Sequence, residues 1–282
     1  MIGRAALVAA GAIAAFLSLT RRHQGRRIEE ATQRLRKSAA LSSSSPRPHV
    51  DLPEPVRRYL GLALPEGTSP PELVCLEQHG ELRTTATTKR WMPFRATHTA
   101  SPLAVGFLWD AQVNAAPLVH LRVIDSLIAG SGAGQLLLFS AIDVGQDSGT
   151  PEMNSGSLHR FLAEAVWYPW ALRPSEQLRW TPIDDWRATA TLTVDDLSVA
   201  LGFRFAATGE VTGVYTPARW GSFDGHYEQR AWEGHFSTYE RRDGVLVPTR
   251  AEVGWYQDGA LALVWKCTVD QLSRVGEVSV RP

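Results

Sequence analysis

The sequence has 282 residues, a length that fits one large β-rich or α+β domain, and 44% of them are hydrophobic, as in an ordinary globular protein. Its net charge is zero but unevenly placed: residues 1–50 hold nine basic and two acidic residues, which leaves 20 basic and 27 acidic residues in 51–282. An acidic domain neutralises phosphates poorly, so nucleic acid is excluded as a partner. Cys75 and Cys267 lie in no CxxC or Cys/His cluster, which favours two separate thiols over a bridge and predicts no zinc site.

Residues 5–20 carry no charge and form the first predicted element. As a helix this run spans about 24 Å, and the residues before it, with Arg4 snorkelling, extend it towards the ~30 Å of a bilayer core. A basic pair, Arg21 and Arg22, follows directly, and this flank disfavours a cleaved signal peptide. The pattern therefore predicts a transmembrane anchor over residues 1–22.

The charges around this segment also predict its orientation. Basic residues are denser after the apolar run than before it, so the positive-inside rule places the following domain in the cytoplasm, with one crossing of a bacterial inner membrane. Residues 23–50 are interpreted as a basic stalk and a Ser/Pro linker that is too polar to pack. Residues 51–282 are predicted to form a single β-rich domain. Membrane lipids are then expected partners.

The predicted domain opens with a short helix at 53–61, which proline begins and glycine ends. Strand-like runs follow at 73–82, 103–113, 118–128 and 135–144. Residues 157–168 carry the strongest helical pattern, with an apolar stripe, Ser157 as the N-cap and Pro169 after the end. Hairpins come next, with turns at 195–196, 243–244 and 258–259. Turn signals without intervening helices indicate a mostly antiparallel sheet and an α+β fold.

The helix pattern is part of a longer motif. Residues 158–174 read LHRFLAEAVWYPWALRP, and companion segments occur at 52–60, 91–94, 106–109, 203–205 and 247–249. Together they resemble the signature of an uncharacterised bacterial family known only as a domain of unknown function, over about residues 51–270. That family implies no activity. Its pattern is similar to the open, curved sheets of bacterial lipoprotein and lipid carriers, which implies a half-open barrel with one main helix on its concave side, preceded by the membrane helix.

Ten tryptophans dominate the candidate binding chemistry. Large aromatic side chains usually form core, but they also line pockets for apolar ligands beside a few polar groups. Asp125 interrupts an apolar strand and would be costly if buried unpaired, so this carboxylate or Arg219 would hold a polar head. The predicted ligand-binding residues are Trp109, Asp125, Phe161, Trp167, Trp180, Arg219 and Trp255.

Three functions fit these residues. The first is a membrane-tethered module that binds a hydrophobic or lipid-like molecule, which requires an unfilled cavity. The second is a scaffold or partner-binding module with an exposed apolar patch. The third is a hydrolase, which requires His120 or His226 within hydrogen-bond reach of an Asp or Ser. No HExxH pair occurs, and residues 130–134 lack the spacing of a dinucleotide-binding loop, so we predict a flexible turn there and neither metal nor cofactor.

Overall fold

The computed structural model describes residues 2–41 and 52–277. Its helices are α1 (Ile2–Leu41), α2 (Glu54–Ala63), α3 (Pro151–Glu164) and two short 3₁₀ helices, Ala165–Trp167 and Pro169–Leu172. Its strands are β1 (Pro71–Leu82), β2 (Met92–Ser101), β3 (Gly106–Ala116), β4 (Val119–Ile128), β5 (Ser131–Leu138), β6 (Ile142–Ser148), β7 (Leu178–Asp184), β8 (Arg187–Val194), β9 (Leu197–Phe205), β10 (Val211–Phe223), β11 (His226–Arg242), β12 (Val245–Gln257) and β13 (Ala260–Glu277).

These strands form one antiparallel sheet in the order β6-β5-β4-β3-β2-β1-β13-β12-β11-β10-β9-β8-β7. Two meanders, β1 to β6 and β7 to β13, meet where β1 pairs with β13, so β6 and β7 are the two edges. The segment that connects these edges contains α3, which packs against β4, β5, β9 and β10 on the concave face. The expected curved, half-open barrel with its main helix on the concave side is therefore confirmed.

The predicted hairpin turns are built as their residues suggest. Asp195, Asp243 and Asp258 have φ angles of 51°, 46° and 51°, and the two glycines that follow the last two have φ angles of 83° and 78°. Aspartate and glycine tolerate this left-handed backbone better than most residues, and such turns match the twist of the flanking strands. Local sequence therefore determines these hairpins.

Helix α3 begins earlier than its apolar pattern indicated. Thr150, not Ser157, is the N-cap, because its hydroxyl oxygen accepts a hydrogen bond from the Met153 amide at 3.2 Å. The predicted stripe nevertheless forms core: three of its side chains, each 1% exposed, are Leu158, Phe161 and Leu162. The start was missed because the first turn of the helix is polar and does not follow the apolar period.

The glycine-rich segment at 130–134 is not a flexible turn, since most of it belongs to β5. Its glycines allow α3 to lie directly on the sheet. A Cβ on Gly132 would be 2.9 Å from the Met153 carbonyl oxygen, and a Cβ on Gly156 of α3 would be 2.9 Å from the Trp220 carbonyl oxygen. Contacts this short exclude any side chain, so the glycines determine how closely helix and sheet approach.

Helix α1 is continuous, and its C-terminal half packs on the outer face of the sheet, opposite α3. Leu35 and Ala39 are 1% and 2% exposed. Leu35 fits only because β3 offers a glycine: a Cβ on Gly106 would lie 2.7 Å from Leu35 Cδ1. Nearer the N-terminus, Arg21 Nε donates a hydrogen bond to the Phe139 carbonyl oxygen at 3.2 Å.

The expected location, a single-pass anchor in the inner membrane with a cytoplasmic domain, is wrong. Within residues 2–41 and 52–277, no helix combines the length and the apolar character that crossing a membrane requires. The charge-free run is too short, because a bilayer core needs about 20 apolar residues and α1 continues directly into arginines. The membrane helix of the expected fold is thus not confirmed. The expected division into 1–22, 23–50 and 51–282 stays a prediction, and much of the Ser/Pro linker lies outside the described residues.

The two cysteines are separate free thiols, as the sequence favoured. Cys267 belongs to the hydrophobic core on the concave side of β13. Cys75 alternates with the core residues Val74 and Leu76 along β1, so its side chain points to the outer face. Opposite faces of one sheet cannot be bridged by a disulfide.

Packing of α1 predicts that Leu35→Ala destabilises the protein. Because Leu35 is fully buried against the sheet, its truncation should lower the free energy of unfolding by about 2–4 kcal/mol. The matched control is Leu41→Ala in the same helix, where the side chain is 74% exposed and little change is expected. Urea unfolding followed by tryptophan fluorescence measures both. Equal effects of the two substitutions would show that α1 does not depend on this contact.

Candidate functional site on the concave face

The strand register arranges the side chains of the concave face in successive rungs. His98, Trp109 and Asp125 are cross-strand neighbours on β2, β3 and β4 and form what we call the polar rung. Two residues further along the strands lies a rung of small and aliphatic residues, Ala96, Ala111 and Val123. The next rung contains Phe94, Val113 and Leu121, and beyond it Leu82 pairs with Met92 and Trp265. The concave face therefore changes from polar to apolar in one direction.

Arg160 of α3 lies over the polar rung and joins the helix to the sheet. Its Nη1 donates to Asp125 Oδ2 at 2.8 Å and its Nε donates to Glu164 Oε1 at 2.8 Å. The guanidinium also stacks over Phe107 and Trp109, 4.9 and 5.0 Å from the ring centres. Burial raises the pKa of Asp125, and the positive charge of Arg160 opposes that shift. The helix thus brings a half-buried cation shared by two carboxylates to the concave face.

Arg219 of β10 is the second cation here, and its surroundings differ. Its guanidinium lies between two tryptophan rings, 4.9 Å from the centre of Trp232 and 5.1 Å from that of Trp255. Its Nε and Nη2 donate to the Gly156 carbonyl oxygen at 3.3 and 3.0 Å. Burial, with a contribution from the nearby charge of Arg160, lowers the pKa of Arg219 to about 10, so it remains a cation at neutral pH.

His98 is the least satisfied member of the polar rung. It is fully buried, and neither ring nitrogen has a hydrogen-bond partner among the described residues. Its Nε2 is 3.6 Å from Glu164 Oε2, and its ring stacks with those of Phe107 and Tyr168. Burial lowers the pKa of His98 to about 4, despite the opposing effect of Glu164. The neutral imidazole is therefore the stable form inside the fold.

An apolar trough extends from the polar rung towards the far rungs. It consists of half-buried side chains that pack against the core but stay partly uncovered: Leu82, Met92, Leu121, Val123, Val253, Trp255 and Trp265. Phe94 at its floor is 2% exposed and stacks on Trp265 with 5.8 Å between the ring centres. The other end of the concave face is filled, since Tyr59, Phe161, Trp167 and Tyr168 beside α3 are at most 1% exposed.

The structure brings together four of the seven residues that the sequence proposed for ligand binding. These four are Trp109, Asp125, Arg219 and Trp255. Trp109 and Asp125 contact Arg160, and Trp255 contacts Arg219. The other three are parts of the packing. Phe161 and Trp167 are core residues, with the Trp167 indole donating to the Pro248 carbonyl oxygen at 3.0 Å. Trp180 packs against Phe203 and Phe205 and donates to the Leu172 carbonyl oxygen at 3.0 Å.

Sequence reasoning missed Arg160, Glu164 and His98 as parts of this cluster. The i, i+4 spacing of Arg160 and Glu164 was visible, but it is typical of a solvated helix face. What distinguishes the pair is Asp125, which lies 35 residues earlier in the chain and reaches Arg160 only through the fold. No local pattern carries that information.

Buried histidines predict a loss of stability in acid. Burial lowers the pKa of both His98 and His159 from 6.5 to about 4, so the unfolded chain binds these protons more tightly than the folded protein does. The contribution of each histidine to the free energy of unfolding is then fully present above pH 6.5. It is lost as the pH drops towards 4, by up to roughly 3 kcal/mol for each histidine. His98→Leu should remove about half of this slope in urea titrations across that range. Exposed His226→Leu is the control, and an unchanged slope in His98→Leu would refute the assignment.

Comparisons with known proteins assign the chain to a family whose function is unknown. No curated protein matches the chain. Among solved structures, the LolA superfamily protein NE2245 from Nitrosomonas europaea is similar over 82% of this chain and 96% of its own, with 10% identity and a TM-score of 0.42. A beta-barrel-like protein of the domain of unknown function DUF1849 from Brucella abortus is similar over 76% and 99%, with 8% identity and a TM-score of 0.23. Such distant likenesses carry no functional weight. The model of the "Family of unknown function (DUF6920)" matches residues 50–273, so the chain belongs to that uncharacterised family, as its helix motif indicated.

Proposed function

We propose that the concave face binds a hydrophobic, lipid-like molecule in the apolar trough. The observation that carries this proposal is the half-burial of apolar side chains on rungs that point into the sheet's own concavity, such as Leu121, Met92 and Trp265. Apolar side chains on the concave face of a sheet are normally buried in a hydrophobic core. Beyond the polar rung the floor residues Phe94 and Val113 are still buried, but the side chains around them are left half-buried for something else to cover.

Covering this surface would stabilise a complex through the hydrophobic effect. Each 100 Å² of apolar surface removed from water contributes about 2.5 kcal/mol. The lining also has the composition of ligand pockets, in which aliphatic and aromatic walls surround a few polar groups. Arg160, Asp125 and Arg219 supply those groups at one end. The trough thus offers both the free energy for binding and a means of orienting an elongated molecule.

A charge placed in the trough should abolish binding of a neutral hydrophobic probe. Leu121→Glu introduces a carboxylate between apolar rungs, and we expect the affinity for N-phenylnaphthylamine, measured by fluorescence, to fall at least tenfold. Leu118→Glu is the matched control, because Leu118 is 97% exposed in the neighbouring hairpin turn and binding there should be unchanged. Circular dichroism establishes that both variants fold. Equal binding by the two variants would place the probe elsewhere and contradict the proposal.

Native mass spectrometry of protein purified without detergent would identify a natural ligand. A lipid that copurifies at one molecule per chain and is lost in Leu121→Glu supports the trough as its site. A copurified lipid that Leu121→Glu retains would argue for a different surface.

A scaffold is a second candidate, supported by the two edges of the sheet. Ile142 and Val144 on β6 are 44% and 51% exposed, and Ile183 and Trp186 near β7 are 52% and 47% exposed. Edge strands with exposed apolar side chains can pair with a strand from a partner. This function would survive Leu121→Glu, because Leu121 on β4 lies two strands away from β6 in hydrogen-bonding order, whereas ligand binding would not.

A hydrolase is a third candidate, favoured by one contact. His120 Nε2 lies 3.1 Å from Ser140 Oγ, in an outer-face groove of about 460 Å³ that Arg21 and Arg122 also line. The side chain of His226 makes no hydrogen bond within the described residues. A nucleophilic serine needs a base that is itself oriented by a third group, and no described carboxylate bonds the other nitrogen of His120.

The incomplete pair at Ser140 predicts no reaction with a fluorophosphonate probe. Wild type and Ser140→Ala should label equally weakly when analysed by mass spectrometry, because His120 alone is not held as a general base. Selective labelling of Ser140 in the wild type would overturn this expectation and make the hydrolase the leading function.

A further inference from the structure

We propose that the molecule bound in the trough is a single-chain carboxylate, such as a long-chain fatty acid, with its carboxylate on Arg219 and its chain along the apolar rungs. This inference rests on the proposed function and adds the ligand's chemical class and its direction. It follows from the unequal pairing of two buried arginines, from the donor that one of them leaves unused, and from the length of the apolar surface beside it.

The two arginines of the concave face differ in their counter-charges. Arg160 forms ion pairs with both Asp125 and Glu164 at 2.8 Å. Arg219 has no carboxylate within 4.0 Å among the described residues, and its only hydrogen-bond acceptor there is a backbone carbonyl. A buried cation without a counter-ion is costly, and two tryptophan rings offset that cost only in part. Arg219 therefore has no direct ionic partner, although Asp125 and Glu164 lie close enough to favour its charged form.

Arg219 also retains a free donor for that charge. Its Nε and Nη2 are used by the Gly156 carbonyl, whereas its Nη1 makes no hydrogen bond to a described residue. This nitrogen is not among the fully enclosed polar atoms without a partner, so it reaches accessible space. Trp255, which stacks on the same guanidinium, is itself a wall of the trough. A carboxylate on Nη1 would thus lie at the polar end of the apolar surface.

Asp125 and Glu164 do not occupy the donor that an anion would use. Both carboxylates are hydrogen-bonded by Arg160, and neither accepts from Nη1 of Arg219. One lone cation matches a carboxylate of charge −1 better than a phosphate monoester, which carries about −1.5 to −2 at neutral pH.

The dimensions of the trough fit a long chain. From His98 in the polar rung to Met92 at the far rung, β2 covers six residues, or about 20 Å at 3.3 Å per residue. Every rung between them is apolar on the concave side of β2 to β4. A ligand with its charge at Arg219 would therefore place methylene groups, and no further polar group, against these rungs.

The test compares palmitate with hexadecanol, which has the same chain length and no charge, by calorimetry on the full chain. Wild type should bind palmitate at least tenfold more tightly than hexadecanol. Arg219→Gln should weaken palmitate binding about 10- to 100-fold, as expected for one lost hydrogen bond to a charged group, and leave hexadecanol unchanged. Arg219→Lys should recover part of the loss. Arg250→Gln on the outer face is the control and should behave as wild type.

A second measurement does not depend on how the variants fold. Palmitate labelled with carbon-13 at its carboxyl carbon, bound to wild-type protein, should titrate at a lower pH than free palmitate in micelles, because Arg219 stabilises the ionised form. An unshifted or raised titration would place the carboxylate in water or among the acids and would overturn the inference.

The outcomes separate this inference from the proposed function. If palmitate and hexadecanol bind wild type equally, or Arg219→Gln weakens both to the same degree, the trough binds apolar chains but the carboxylate assignment is wrong. If hexadecyl phosphate binds more tightly than palmitate, the head is a phosphate and the charge-matching argument fails. If none of the three binds, the proposed function itself fails and the inference with it.

Discussion

The fold depends on one partly buried ionic contact, that of Arg160 with Asp125 and Glu164, whose side chains are 33% and 13% exposed. Without it, these two carboxylates would be left partly desolvated and unpaired on the concave face, which is costly. With it, the helix is fixed to the sheet at a single orientation, because a guanidinium that donates to two acceptors and stacks on two rings tolerates little rotation. Hydrophobic packing alone would hold α3 in place but would specify its position along the sheet less sharply.

This contact also lies where the cover over the concave face changes. On one side of the polar rung, the stripe of α3 and the two 3₁₀ helices fill the concavity with large aromatic residues, including Trp167 and Tyr168. On the other side no segment of comparable size lies over the far rungs within the described chain, and side chains such as Leu121 and Met92 are left half-buried. Past the polar rung the floor of the concavity remains core, as at Phe94 and Val113, whereas the side chains around that floor form a half-buried apolar surface.

How far sequence reasoning reached depends on how local each feature is. The Asp-Gly turns and the apolar stripe of α3 were predictable, because each depends on neighbouring residues in the chain. The concern that Asp125 would need a partner was also sound, but that partner could not be identified from sequence, since Arg160 is distant in the chain. The charge-free run at 5–20 was misjudged for a different reason: it is shorter than the about 20 apolar residues that a bilayer core needs, and α1 continues directly into arginines.

The outer face shows why the concave trough is the better place for an apolar ligand. Two of its grooves, of about 600 and 460 Å³, have the size of many ligand sites. Charged groups line them, however, including His79, which pairs with Asp270, and the ion pair of Arg122 with Asp110. A hydrophobic molecule in such a groove would separate charged groups from water without offering them hydrogen bonds, which costs more than the apolar burial returns. Binding in the trough carries no such desolvation cost, because the apolar rungs lose only unfavourable contact with water. The side chains that line a concave surface therefore determine whether it can bind an apolar ligand. Groove volume alone would have pointed to the outer face.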